Sequence, residues 1–239
     1  MSEALLLSQT GILDRPQLAL VPTPQGTRTH RPVPHHEVIE ALVETLGFRH
    51  IGIHKEQYAV SNDGMKLFGT MELEATFSGC RFALGIRNSH DKTLSLAITV
   101  GYRVMVCDNL AFHGDYSPLM RKHTANFNLK DALSLGVDNM QRNFTPMVQA
   151  VERWQDTQIT DATAKLLIYE AFIEGAMQIP KHLAGPVHNY YFNPPHQEFS
   201  PRTMWSLNNA FSGAAKQLEP IPLQRVASEI GEFFQVRQL

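Results

Sequence analysis

Between Pro34 and Gly47 the apolar residues Val38, Ile39, Leu42, Val43 and Leu46 return every three or four positions. That period puts them on one face of a helix, with Pro34 near its first turn and Gly47 as its stop. From Phe48 the period drops to two. Phe48–Ser61 reads as a strand, Asn62-Asp63-Gly64 as a hairpin turn, and Met65–Phe77 as the returning strand. Leu67, Gly69, Met71, Leu73 and Ala75 share one face of that strand, and Phe68, Thr70, Glu72 and Glu74 the other. Ser78-Gly79 turns the chain into a third strand, Cys80–Ile86, and Thr93–Val106 follows the RNSHDK loop as a fourth. Strands joined by short turns make an antiparallel meander and not a parallel nucleotide-binding sheet.

Beyond Asp115 the pattern is helical. Ser117-Pro118 opens a short segment through Arg121, and Asn128–Gln155 is a long helix striped by Leu129, Leu133, Val137, Met140, Phe144, Met147 and Val151. Pro146 is expected to kink or break it. Thr160–Met177 follows from an N-cap pattern, and residues 188–199, HNYYFNPPHQEF, read as an aromatic loop. Ser200-Pro201 starts a helix to about Gln217, and Ile221–Val236 is the last. Residues 1–33 have no period and several prolines, so they read as an extended, loosely docked arm with one short strand near Leu18–Val21. The expected fold is α+β: an antiparallel β-meander of about four to five strands in residues 48–106, packed with an N-terminal helix and several C-terminal helices in 117–236. Residues 34–239 form the single domain.

Composition adds class and compartment. A chain of 239 residues at 43% hydrophobic content can bury a full core. Cys80 and Cys107 make no disulfide framework and suit a reducing, cytoplasmic setting. The start, MSEALLLSQTGIL, lacks a basic leader, and its apolar run is too short to span a membrane, so no membrane partner is expected. The net charge of −2 is unevenly spread. Residues 81–130 hold seven basic side chains against three acidic ones, a local excess suited to steering an anion or nucleic acid.

The chemistry-bearing letters cluster in Gly85–Gly114. In RNSHDK, the short polar side chains of Asn88, Ser89, His90 and Asp91 are natural turn formers. The functional reading makes Arg87 a phosphate or carboxylate fork and His90 a donor or general acid/base. His35 and His36, at the amino end of the first helix, read as neutral, exposed imidazoles. In VCDNLAFHGD, Cys107 is a nucleophile candidate with His90 or His113 as base, though no cysteine-enzyme context surrounds it. Neither the histidines nor the cysteines have compact metal-ligand spacing, and no Gly-rich phosphate loop or paired-carboxylate signature is present, so no metal or cofactor is expected. Tyr190, Tyr191 and Trp205 could stack bases, though such aromatic residues more often pack onto the domain or a second subunit.

Three stretches, YAVSNDGMKLFGTMEL, GIRNSHDKTLSLAITVGYRVMVCDNLAF and MWSLNNAF, together resemble the uncharacterised phage/plasmid-like protein family, a domain of unknown function found in phages, plasmids and integrated mobile elements. The resemblance spans roughly Pro34 to Gly213. It implies a DNA-associated setting and transfers no catalytic residue. The order helix, β-meander, long helix is also similar to ring-forming single-strand annealing proteins, which hold DNA in a basic groove. The leading expectation is therefore a non-enzymatic accessory that binds or anneals single-stranded DNA, with assembly into a homo-oligomer included. Arg87, Lys92, Arg103, Arg121 and Lys122 would contact phosphates, Asn88 and His90 would orient the loop, and Tyr190, Tyr191 or Trp205 would stack. The rivals are a hydrolase or nuclease built on His90, Asp91, Cys107, Asp108 and His113, and a protein-interaction module such as a host-defence inhibitor.

Overall fold

A computed structural model describes residues 13–107, 109–112, 119–124, 126–218 and 220–237. Asp108, His113, Asp115, Ser117 and Pro118 lie outside the described residues. The fold is α+β. Strands β1 (Ile53–Val60), β2 (Lys66–Phe77), β3 (Cys80–Ser89) and β4 (Leu96–Val104) form the antiparallel meander that the alternating pattern implies. Gly64 takes the left-handed conformation (φ 71°) required in the β1–β2 turn. Residues 48–52, expected in β1, instead close the preceding helix and turn.

Two short strands, β5 (Leu110–Phe112) and β6 (Leu119–Arg121), both pair with β4, at Gly101–Arg103 and Leu96–Ile98 respectively. They act as one interrupted fifth strand and carry the sheet past residue 106. Leu119–Arg121 is therefore strand, not the helical segment its Ser-Pro lead suggested. Three residues are too few for a period, and pairing with the open edge of β4 decides the conformation.

One sheet face, with Leu67, Met71, Leu84, Ile86, Ile98 and Val100, is buried in the main core. Over it lie α2 (His35–Phe48), α3 (Leu129–Asp156) and α6 (Met204–Ala215): Phe82 of β3 stacks on Phe144 of α3 at 4.1 Å, and Tyr102 of β4 meets Trp205 of α6 at 5.8 Å. The opposite face carries small residues (Thr70, Ala83, Gly85, Ala97, Thr99) and a buried ion pair, Arg103–Glu72, at 2.7 Å. α4 (Asp161–Phe172), α5 (Ala184–Phe192) and α7 (Pro220–Val236) complete the helical layer.

Four local expectations change. The arm forms a helical turn, α1 (Arg15–Ala19), where a strand was expected, because Asp14 and Gln17 close a capping box around Pro16. It is also firmly docked: Leu18 is fully buried and Arg15 pairs with Glu56 at 2.5 Å. α3 runs unbroken through Pro146, since apolar residues on both sides, from Leu133 to Trp154, anchor one continuous stripe. Residues 188–192 of the aromatic stretch are helical in α5, and Thr203, not Ser200, caps α6 by accepting the Ser206 amide at 3.1 Å.

Candidate functional site

The RNSHDK loop joins β3 to β4 at one end of the sheet. Asp91 organises it as turn chemistry requires, accepting bonds from the Ser89 hydroxyl, the Thr93 amide (3.0 Å) and the Thr93 hydroxyl (2.6 Å). Lys92 completes the turn at φ 66°. Against desolvation, which pushes it up, these hydrogen bonds together hold the Asp91 carboxyl below its ordinary range. Asn88 and His90, however, point inward. Asn88 Nδ2 donates to Val33 O (3.0 Å) and to His35 Nδ1 (2.9 Å), while His90 Nε2 donates to the same Val33 carbonyl at 3.0 Å. The His35 and His90 rings stack with centroids 3.9 Å apart.

His30 extends this latch. Its ring lies between the carbonyls of His123 (2.8 Å) and His90 (3.1 Å), and His123 Nδ1 accepts the Val33 amide at 3.3 Å. All four histidines are buried. Burial, and then the neighbouring His90 ring, push His35 down to about 3; burial and the His30 and His90 rings push His123 down to about 4. His90 is lowered chiefly by burial. His35 is thus neutral as expected but not exposed, because it donates from Nε2 to Gly64 O at 3.1 Å. This is a structural latch that fastens the arm to the sheet, with Asn88 Oδ1, His90 Nδ1 and His123 Nε2 buried and without a hydrogen-bond partner among the described residues.

Around the latch lies a rim of cations. Register places Lys66 opposite Ser89, Arg87 opposite Ala97, and Arg121 opposite Leu96. The arm's turn, Thr27–His30, bridges to Thr124, and the Arg31 amide bonds His123 O at 3.4 Å. Arg28 and Arg31 therefore join Lys66, Arg87, Lys92, Arg121 and Lys122 at one end of the sheet. Lys66 pairs with Asp91 at 3.7 Å; the other six form no ion pair among the described residues. Five of the six are exposed, and Arg87 is half-buried with its Nε enclosed and without a hydrogen-bond partner among the described residues. Burial alone lowers its pKa, the mark of a cation that lacks a counter-charge. Sequence reasoning missed Arg28 and Arg31, since only pairing across more than ninety residues brings them here.

The remaining nominees lie elsewhere. Arg103 is buried against Glu72. Tyr191 is fully buried with the Arg202 guanidinium 5.0 Å from its ring, and Trp205 is core. Cys107 follows β4, at the opposite end of that strand from His90 and Asp91. Eight residue steps make that roughly 25 Å, so these described members of the hydrolase set do not converge. Cys80 lies near Cys107, and burial, followed by that neighbour, pushes its thiol up to about 12. Among the described residues no group of three or more His, Cys, Asp or Glu is arranged to hold a metal. No helix among them is long and apolar enough to cross a membrane. On α4, Leu166, Tyr169 and Ile173 are exposed apolar side chains.

At that far end a cleft of about 230 Å³ opens between the β4–β5 turn, α5 and α6, lined by Cys107, Asn109, Tyr190, His196, Asn209 and Lys216 among others. It unites VCDNL with WSLNNAF, two stretches a hundred residues apart. Asn109 Nδ2 donates to both the backbone carbonyl and Oδ1 of Asn209, each at 3.1 Å, and Asn209 Nδ2 donates to Trp205 O at 3.0 Å. Lys216 Nζ donates to Cys107 O.

The family model for the domain of unknown function DUF932 matches residues 27–229. No curated protein and no solved structure matches the chain.

Proposed function

This chain belongs to the DUF932 family, and we propose that it binds the sugar–phosphate backbone of single-stranded nucleic acid, DNA foremost, along the basic end of its sheet. One observation carries this reading: six cations from separate chain segments gather around the latch without carboxylate partners among the described residues, and one of them, Arg87, is half-buried. A cation held this way is costly alone, and an incoming phosphate relieves that cost. The contact set is Arg28, Arg31, Arg87, Lys92, Arg121 and Lys122. Asn88 and His90 act behind it, by fixing the arm that presents Arg28 and Arg31. The similarity of the RNSHD and VCDNL stretches to phage/plasmid-like proteins supports placing this activity on a mobile element, as an accessory and not an enzyme.

Binding to phosphates releases counterions, so affinity falls with salt in proportion to the number of contacts, with a log–log slope of about −0.7 per phosphate on single strands. Titrating a fluorescent oligothymidine by anisotropy at two or more salt concentrations measures that slope. Arg87→Ala with Lys92→Ala, and separately Arg121→Ala with Lys122→Ala, should each weaken binding and flatten the slope by about 1.4. An absence of binding at low salt, or a slope that neither pair changes, would refute the proposal.

A further inference from the structure

The cleft at the far end of the sheet has a chemistry of its own, independent of the basic rim. Asn109 is only 4% exposed, yet its amide orientation is settled. Both groups it faces on Asn209 are oxygens, and the Asn209 amide nitrogen is already engaged with Trp205 O, so Asn109 must present Nδ2 there. Its Oδ1 makes no hydrogen bond among the described residues. Gly213 leaves room beside the amide: a Cβ at this position would stand 3.8 Å from both Asn109 amide atoms and 3.8 Å from the Tyr190 ring. The acceptor and the aromatic ring therefore border the same space.

Among the described residues that line the cleft none is a carboxylate, and the one cation is Lys216, whose Nζ donates to Cys107 O. A neutral ring with an N–H donor fits beside the Asn109 acceptor and the Tyr190 ring. The volume, about 230 Å³, lies below the roughly 300–1,000 Å³ of drug-sized sites and suits one planar group. We infer that this cleft binds a nucleobase carrying an exocyclic amino group, which donates to Asn109 Oδ1 while the ring lies against Tyr190. The base belongs either to a free nucleotide or to one unstacked position of a strand; the chemistry of recognition is the same.

Calorimetric titration with dAMP, dCMP and dTMP tests this, because thymine has no exocyclic amine. Saturable binding of dAMP or dCMP, at least tenfold tighter than dTMP, is expected. Gly213→Leu, which fills the cleft from a helical position with room for a Cβ, and Tyr190→Ala, which removes a partly exposed ring, should each weaken binding at least tenfold. Both variants should keep the wild-type circular dichroism spectrum and melting temperature. An oligo-dA preference over oligo-dT that Gly213→Leu erases would assign the base to a strand; binding of mononucleotides alone would assign it to a free nucleotide. Equal binding of all three mononucleotides, no binding, or undiminished binding by a folded Gly213→Leu protein would overturn the inference. None of these results touches the salt-slope test of the basic rim, so the two proposals fail separately.

Discussion

Asn88 is fully buried and Asp91 is exposed, although three positions apart in one polar run. Asp91 was legible because its partners, Ser89 and Thr93, are two residues away and turn chemistry is local. Asn88 was not, because its partners Val33 and His35 come from the arm, more than fifty residues upstream. The same holds for His30, His35, His90 and His123, which no spacing rule joins. Their burial has a consequence for stability. The latch holds His35, His90 and His123 neutral with lowered pKa values, whereas an unfolded histidine titrates near about 6.5. Below that value the unfolded chain takes up more protons than the folded one, so full stability is present above about pH 6.5 and falls as pH drops towards about 4. Each histidine adds a slope of up to about 1.4 kcal/mol per pH unit. Urea denaturation should therefore show a clearly lower midpoint near about pH 5 than near about pH 7.5; equal midpoints would contradict neutral, buried rings.

Elements with long periods were readable and short ones were not. α2 follows from its stripe, although it runs one residue past the expected stop at Gly47, and α4 from its stripe and its Thr160 cap, while β5 and β6, three residues each, exist only because β4 offers an open edge. The stretch from His188 to Phe192 looked like a loop because prolines follow it, but packing of α5 beside α6 makes it helical. α3 shows tertiary packing prevailing over local preference. Pro146 removes the amide that would bond Arg142 O, and its ring crowds that carbonyl. The helix continues because Met140 on one side and Met147, Ala150 and Val151 on the other are all buried in the same core. Pro146 is itself exposed, so no packing is lost on replacement. Pro146→Ala should raise stability by about 1–3 kcal/mol and the melting temperature accordingly. A fall in melting temperature would show that the proline sets a geometry the core depends on.

At the scale of the molecule, the arm joins regions that the sequence leaves apart. Residues 13–33 contribute Leu18 and Val33 to the core, a backbone bridge from Leu13 to Tyr58, the Arg15–Glu56 pair and the latch around His30. Removing residues 1–34 should cost more than about 3 kcal/mol, as for the loss of a large buried side chain, measured by urea denaturation. Loss of stability below about 1 kcal/mol would mean that the arm only decorates the surface. On the proposed function the same truncation also removes Arg28 and Arg31, so any folded remainder should bind single strands with a shallower salt slope.

The period of two in residues 53–104 and the 3.6-residue stripes before and after it determined an antiparallel sheet with helices, because burying one face of each element leaves few other layer arrangements. The charge excess in residues 81–130 was equally visible from the letters alone. Only the tertiary structure decided which polar residues face solvent. It turned Asn88, His90 and Arg103 inward, brought Arg28 and Arg31 to the basic end, and set Asn109 against Asn209. Hydrogen bonds and ion pairs between segments far apart in the chain leave no local periodicity, so their partners become known only when the strands are in register.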